Sequence, residues 1–188
     1  MNDVTVAEEA TLRTELEARL RFETLIADLS SKFINLPAEK VDREIEDAQR
    51  RVCECLGLDL AALWQWSAET PRYFKMTHLY RPLGGPPVPE RFDAQEVFPW
   101  CLQEVRAGRI IMFGSLEEAP AEAARDRELW RHYGIKSVLN IPLSAGGGLP
   151  LGSVSFHTVF AERSLTGISA GLSPVAGLAQ VRAGYRTP

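Results

Sequence analysis

Leu12, Leu16 and Leu20, followed by Leu25-Ile26, Leu29 and Phe33, recur at spacings of three to five residues. Such spacing sets apolar side chains on one stripe of an α-helix, and it predicts a long helix from about Val6 to Phe33. Glu8, Glu9, Glu15 and Glu17 with Arg13, Arg19 and Arg21 flank the stripe at distances that allow pairing along a helix. The first half carries only a narrow leucine seam. It reads either as a helix packed on its own domain or as a helix that dimerises. Pro37 breaks the chain. Val41, Ile45, Ala48, Val52 and Leu56 then form one helical face, predicting a second helix over about Glu39–Leu56 with Gly57 as its cap.

The period then changes. LAALWQWS (60–67) and RYFKMTHLY (72–80) are rich in aromatic and branched residues and predict a β-hairpin. RPLGGPPVPERFD (81–93), loaded with proline and glycine, predicts an irregular loop. PWCLQEVRA (99–107), with proline at its start and Gly108 after its end, predicts a short helix. A strand is expected over Arg109–Phe113 and a helix over Ala121–His132, closed by Gly134. Strands are also expected over Ser137–Leu143 and Leu149–Phe160, joined by a glycine-rich turn at Ser144–Gly148. The order is helix, helix, strand, strand, loop, helix, strand, helix, strand, strand, which is an α+β domain built on an antiparallel sheet.

Composition narrows the class. The 188 residues are 45% hydrophobic and 24% charged with a net charge of -4, so the chain can bury a core of its own. The acidic balance, without a cluster of Lys and Arg, argues against a nucleic-acid partner. No apolar run is long enough to cross a bilayer, and the first residues lack the pattern of a signal peptide. Three cysteines make no disulfide framework, so a reducing cytoplasm is the expected location. After Arg163 the only charges are Arg182 and Arg186.

One stretch is specific. Gly134-Ile135-Lys136-Ser137-Val138-Leu139-Asn140-Ile141-Pro142-Leu143 is followed, after a glycine turn, by Leu151-Gly152-Ser153-Val154-Ser155-Phe156. Upstream, a helix leads through Leu56-Gly57-Leu58-Asp59 into Ala61-Ala62-Leu63-Trp64. Together these resemble a GAF domain, of the kind found at the front of bacterial sensor histidine kinases and formate-hydrogenlyase-activator-type regulators. The resemblance implies a central antiparallel sheet with long helices on one face and short helices and loops on the other. It implies a dimer made through the first helix, and a small-molecule pocket under the short helices. It also implies a regulatory part in two-component signalling or transcription control instead of catalysis. The expected organisation is a signalling or dimer helix at 1–36, a sensory domain at 37–163 and an atypical tail at 164–188. A kinase or ATPase output is expected elsewhere, since no motif of either occurs here. The tail departs from the family, because Gly167, Gly171, Pro174, Gly177 and Gly184 oppose the closing helix such domains usually carry. It reads as a truncated or frame-altered end, or as a partly disordered one.

The candidate chemistry is that of binding. His78, His132 and His157 show no metal-ligand spacing. Cys53 and Cys55 are two apart on a helix and point about 200° apart. Cys101 is followed by Leu102, where bilin-attaching relatives usually have histidine, and the cyclic-nucleotide motif of phosphodiesterase GAF domains is absent. Trp64, Trp66, Trp100 and Trp130 are either core residues or the lining of an aromatic pocket. Alternation puts Asn140, Ser155 and His157 on the face opposite Leu139, Ile141, Val154 and Phe156. Trp66, His78, Trp100, Trp130, Asn140, Ser155 and His157 are thus the candidate ligand-binding residues, with no catalytic or metal residue expected and the ligand's identity open. The other readings are a ligand-free dimerisation or interaction module, and a redox enzyme like the free-methionine-sulfoxide reductases.

Overall fold

The computed structural model describes residues 2–34, 36–66, 73–144 and 148–165. Helix α1 (Asn2–Ile34) leads through a short 3-10 turn at Ala38–Lys40 into α2 (Val41–Leu56). Strands β1 (Leu60–Trp66), β2 (Tyr73–Tyr80) and β3 (Arg91–Asp93) follow. Then come α3 (Ala94–Val97), α4 (Pro99–Arg106), β4 (Ile111–Phe113), α5 (Ala124–His132), β5 (Ser137–Ser144) and β6 (Pro150–Thr158). The strands form one sheet in the order β3-β2-β1-β6-β5-β4, with every pair antiparallel. The expected α+β class and antiparallel sheet are present.

Each helix follows from its residues. In α2, Val41, Ile45 and Val52 are buried, and Ala48 and Leu56 pack beside them. Gly57 ends α2 in the left-handed region at φ 62°, where its N–H reaches the Cys53 carbonyl. Among the side chains of α1 that are described, those of the second half meet the domain. Phe22, Ile26, Leu29 and Phe33 are buried, whereas residues 8–21 are exposed on every side. The leucine seam Leu12, Leu16 and Leu20 therefore stands clear of the core, each more than 60% exposed.

The sheet is covered on both faces, and period-two alternation divides its side chains between two cores. Ala61, Leu63, Leu139, Ile141, Leu143, Val154 and Phe156 pack against α1 and α2. Phe74, Ile111 and Val138 pack under α4 and α5, with Trp64 and Trp66 beside them. Residues of β5 are therefore buried almost throughout, on both faces alike.

Two elements depart from the expected pattern. The proline-glycine stretch 81–93 was expected to be irregular throughout. Its last three residues instead form β3, pairing Arg91 with Lys75 and Asp93 with Tyr73 on the free edge of β2. Asp93 then caps α3, its carboxylate accepting from the Gln95 N–H at 3.0 Å. The glycine-rich turn falls partly outside the described residues, but β5 and β6 pair as a hairpin on either side of it. The atypical tail lies outside the described residues beyond Leu165, which is itself buried in the helix-side core.

The roof over the second face is tied together by one carboxylate. Helix α4 begins at Pro99, and the preceding Phe98 offers no side-chain cap. Asp126 of α5, fully buried, supplies the cap from outside. Its Oδ1 accepts the Cys101 N–H at 2.8 Å and its Oδ2 the Trp100 N–H at 3.3 Å. Burial raises the Asp126 pKa above the ordinary carboxylate value, and the N–H donors oppose that rise. Asp126→Ala leaves these donors without a partner inside the protein. Urea denaturation is expected to show a loss of about 2–3 kcal/mol, with Asp126→Asn losing less because it keeps one acceptor oxygen.

Candidate functional site

Beneath this roof lies a cavity of about 240 Å³, walled mainly by apolar side chains. Its floor is the sheet: Ala62 and Trp64 of β1, Phe74 and Met76 of β2, Asn140 of β5, and Ser153, Ser155 and His157 of β6. Its roof is Phe98 and Cys101 at the start of α4, with Leu129 and Trp130 of α5. Phe92, Val88 and Pro89 close the side next to the 81–93 loop. Aromatic rings run through the wall in series. Trp64 lies 4.9 Å from Phe92, Phe92 lies 5.5 Å from Phe98, and Phe98 lies 6.1 Å from Trp130, measured between ring centroids. Near the rim, Gly85 at φ 140° lets the Arg81 guanidinium pack where a Cβ would stand, and Arg81 donates to the Pro86 carbonyl at 2.6 Å.

Among the candidates, Trp130, Asn140, Ser155 and His157 line this cavity. Trp66, His78 and Trp100 do not, and each has a physical reason. The register of β1 and β2 slips between Leu63 and Trp64, so that Leu63 faces His78 while Trp64 faces Met76. Thr77 is the extra residue, and this bulge reverses the alternation of β2. Met76 lines the cavity, whereas His78 turns to the helices, its Nε2 3.3 Å from Asp42 Oδ1 of α2. Trp66 lies on the roof side of the sheet but beyond the cavity. It stacks on Phe74 at 4.0 Å, donates to the Pro150 carbonyl at 2.7 Å and carries the Arg106 guanidinium on its face. Trp100 meets Phe113, half-buried, on the outer part of α4.

Three of the four polar residues of the floor, Ser155, Asn140 and His157, have distinct states. Ser155 Oγ accepts from the Trp64 indole at 3.2 Å and donates to the Ala62 carbonyl at 3.3 Å. Asn140 donates from Nδ2 to Cys101 Sγ at 3.3 Å, and its Oδ1 has no partner in the protein. The His157 ring hydrogen-bonds the Ser137 backbone, and its Nδ1 has no partner in the protein. Trp64, with Leu60 and Leu79 beyond it, is a lining residue outside the candidate set. Its alternation with Ala62 and against Leu63 is the signal that finds it.

A family model described as GAF domain matches residues 41–167. The chain belongs to the GAF family. Solved structures agree on the fold. The phycocyanobilin-bound GAF domain of a cyanobacterial phytochrome superposes with a TM-score of 0.67 at 12% identity, covering 86% of this chain and 93% of that one. The chromophore-binding domain of Stigmatella aurantiaca bacteriophytochrome (Thr289His mutant, Pr state) gives 0.66 at 16% identity, covering 88% of this chain and 60% of that one. The GAF region of a putative membrane protein from Geobacter sulfurreducens gives 0.58 at 17% identity, covering 77% and 93%. No curated protein matches the sequence. GAF domains are generally sensory, and this one carries its cavity between the sheet and the short helices.

The floor and roof of the GAF cavity carry neutral groups, and the lining cation Arg81 stands at the rim. Burial pushes the His157 pKa down to about 4, and its bond to the Ser137 backbone only partly offsets this. Burial likewise raises the Cys101 thiol, with the nearby Asp126 carboxylate adding to the rise. Burial lifts Cys53 to about 12, and Cys53 belongs to the helix-side core across the sheet. Neither thiol is held as a reactive thiolate. Among the described residues no group of three His, Cys, Asp or Glu side chains could hold a metal ion. No helix among them is long and apolar enough to cross a membrane.

The low His157 pKa makes stability depend on pH. The folded chain binds this proton less readily than the unfolded chain, so acid favours unfolding. The contribution is intact above the ordinary value of 6.5 and is lost as pH falls from there toward 4. Urea denaturation is expected to show about 2 kcal/mol less stability at pH 5 than at pH 7. In His157→Gln that difference is expected to disappear.

Proposed function

We propose that this GAF domain is a regulatory sensory module that binds a small molecule beneath α4 and α5. Its output would be a kinase or a transcription-activator ATPase carried outside the sequence described. The observation that carries the reading is the roofed apolar cavity with unpaired polar atoms in its floor. Concave, mainly apolar sites with a few convergent polar groups are what small ligands occupy. Its volume of about 240 Å³ lies below the roughly 300 Å³ at which drug-sized sites begin. That argues against a bilin such as the phycocyanobilin bound in one of the phytochrome structures. The absence of a histidine after Cys101 points the same way. The free thiols accord with a cytoplasmic setting.

Dimerisation belongs to the same reading. A seam of exposed leucines on a helix that overhangs its own domain fits the same seam on a second copy. Ligand binding would then shift the balance between arrangements of the paired helices. The redox-enzyme reading is weakened by the placement of Cys53 and Cys101 on opposite faces of the sheet.

Thermal-shift screening of a metabolite library against the wild-type chain and Ala62→Leu, which fills the floor, tests the sensory reading. Hits should raise the wild-type Tm and leave the filled variant unmoved. A dimer that no compound stabilises would instead favour the interaction-module reading. For the helix, Leu16→Glu is expected to convert a dimer to a monomer in sedimentation equilibrium. Because Leu16 touches none of the core, the change in monomer stability should stay within about 0.5 kcal/mol.

A further inference from the structure

Two buried side-chain atoms of the cavity floor, Asn140 Oδ1 and His157 Nδ1, have no partner in the protein. The amide of Asn140 directs one N–H to Cys101 Sγ, and its carbonyl Oδ1 has no partner in the protein. The neutral imidazole of His157 has a single N–H. Nδ1 has no partner in the protein, and it presents a lone pair in the tautomer that carries its proton on Nε2. Both residues are more than nine-tenths buried, at 7% and 6% exposure. Asn140 pairs with Ser155 and Val138 with His157, so the two acceptors stand on neighbouring strands one diagonal step apart, about 7–8 Å between backbones. Ser155 is already satisfied in both directions.

The remainder of the wall selects shape. Trp64, Phe74, Phe92, Phe98 and Trp130 present rings. A cavity of about 150 Å³ is enough for benzene, so about 240 Å³ suits a fused pair of rings or one substituted ring. The cation among the lining residues, Arg81, sits at the rim and is held by the Pro86 carbonyl.

We propose that this cavity takes a compact aromatic molecule whose buried edge donates an N–H or O–H to His157 Nδ1 or Asn140 Oδ1. The inference rests on the sensory reading and specifies its ligand. A carboxylate or other acceptor placed against Asn140 Oδ1 would set lone pair against lone pair. An edge with no polar atom would leave both buried acceptors unpaired, which is costly in a dry site.

Three bicyclic probes of nearly one shape separate these cases: indole, which carries an N–H donor, benzofuran, which carries an acceptor oxygen, and indene, which carries neither. Calorimetric titration of the full chain is expected to show indole binding at least tenfold more tightly than the other two, a difference of about 1.4 kcal/mol. In His157→Phe that preference should shrink severalfold. A second readout does not depend on that variant folding. Indole should shift the ¹⁵N resonance of wild-type His157 Nδ1, and indene should not. Equal binding of all three probes, or an Nδ1 resonance that ignores bound indole, overturns the donor-edge inference and leaves the sensory site standing. Binding of none of them also overturns the inference about the ligand, while the sensory reading stands or falls by the metabolite screen.

Discussion

The carboxylate of Asp126 is the interaction on which the site depends. It caps α4 from a neighbouring helix because α4 has no cap of its own. That fixes the Cys101 backbone relative to α5. Cys101 in turn places its sulfur against the Asn140 amide, and so decides which end of that amide is left unpaired. A buried carboxylate is costly to desolvate, and the raised pKa of Asp126 reflects that cost. Shifting the cap to an N-terminal residue of α4 itself would satisfy the helix but would not join the two roof helices. The cost therefore accompanies a geometric tie that local capping cannot supply.

Much of the fold was legible because its signals are local. The 3.6-residue stripes of α1 and α2, the glycine at the end of α2 and the alternation of β5 and β6 are each written in a few consecutive residues. Asn140, Ser155 and His157 were placed on the correct face by parity alone. Parity applied to β2 would put His78 on the face of Met76, but the inserted residue Thr77 changes the phase between them. No residue type in YFKMTHLY marks that insertion. Strand β3 was hidden for a related reason. Its three residues are strand only because the edge of β2 is there to pair with, and the prolines before them carry no information about that edge.

What was not legible is long-range. Asp126 sits in the first turn of a short helix among other charged residues, where an acid ordinarily faces solvent. Its partners lie about 25 residues earlier in the chain. Nothing in either segment alone reveals the bond. The tryptophans illustrate the same point. Trp64 and Trp66 share a face of β1, yet the first lines the cavity and the second is covered by Phe74 and Arg106. Parity separates the faces of a sheet. It does not say how far along the strand the roof extends.

The sheet also constrains how such a site could be read from outside. The cavity and the long helices lie on opposite faces, so no ligand beneath α4 can touch α1. The two faces meet in β6, where Phe156 is packed among the helices and the adjacent His157 lines the cavity. Beyond the cavity, the His157 ring is bonded to the Ser137 backbone, and the Ser137 hydroxyl accepts the Arg163 N–H at 2.8 Å and donates to the Gly114 carbonyl at 2.7 Å. Arg163 in turn donates to the carbonyl of Gly57 at the end of α2. The segment after β6 is thus tied both to the start of β5 and to the end of α2. Packed interiors do not deform continuously. Any effect of a bound molecule on α1 would therefore have to pass through the sheet, where Phe156 and His157 are neighbours in one strand and face opposite cores.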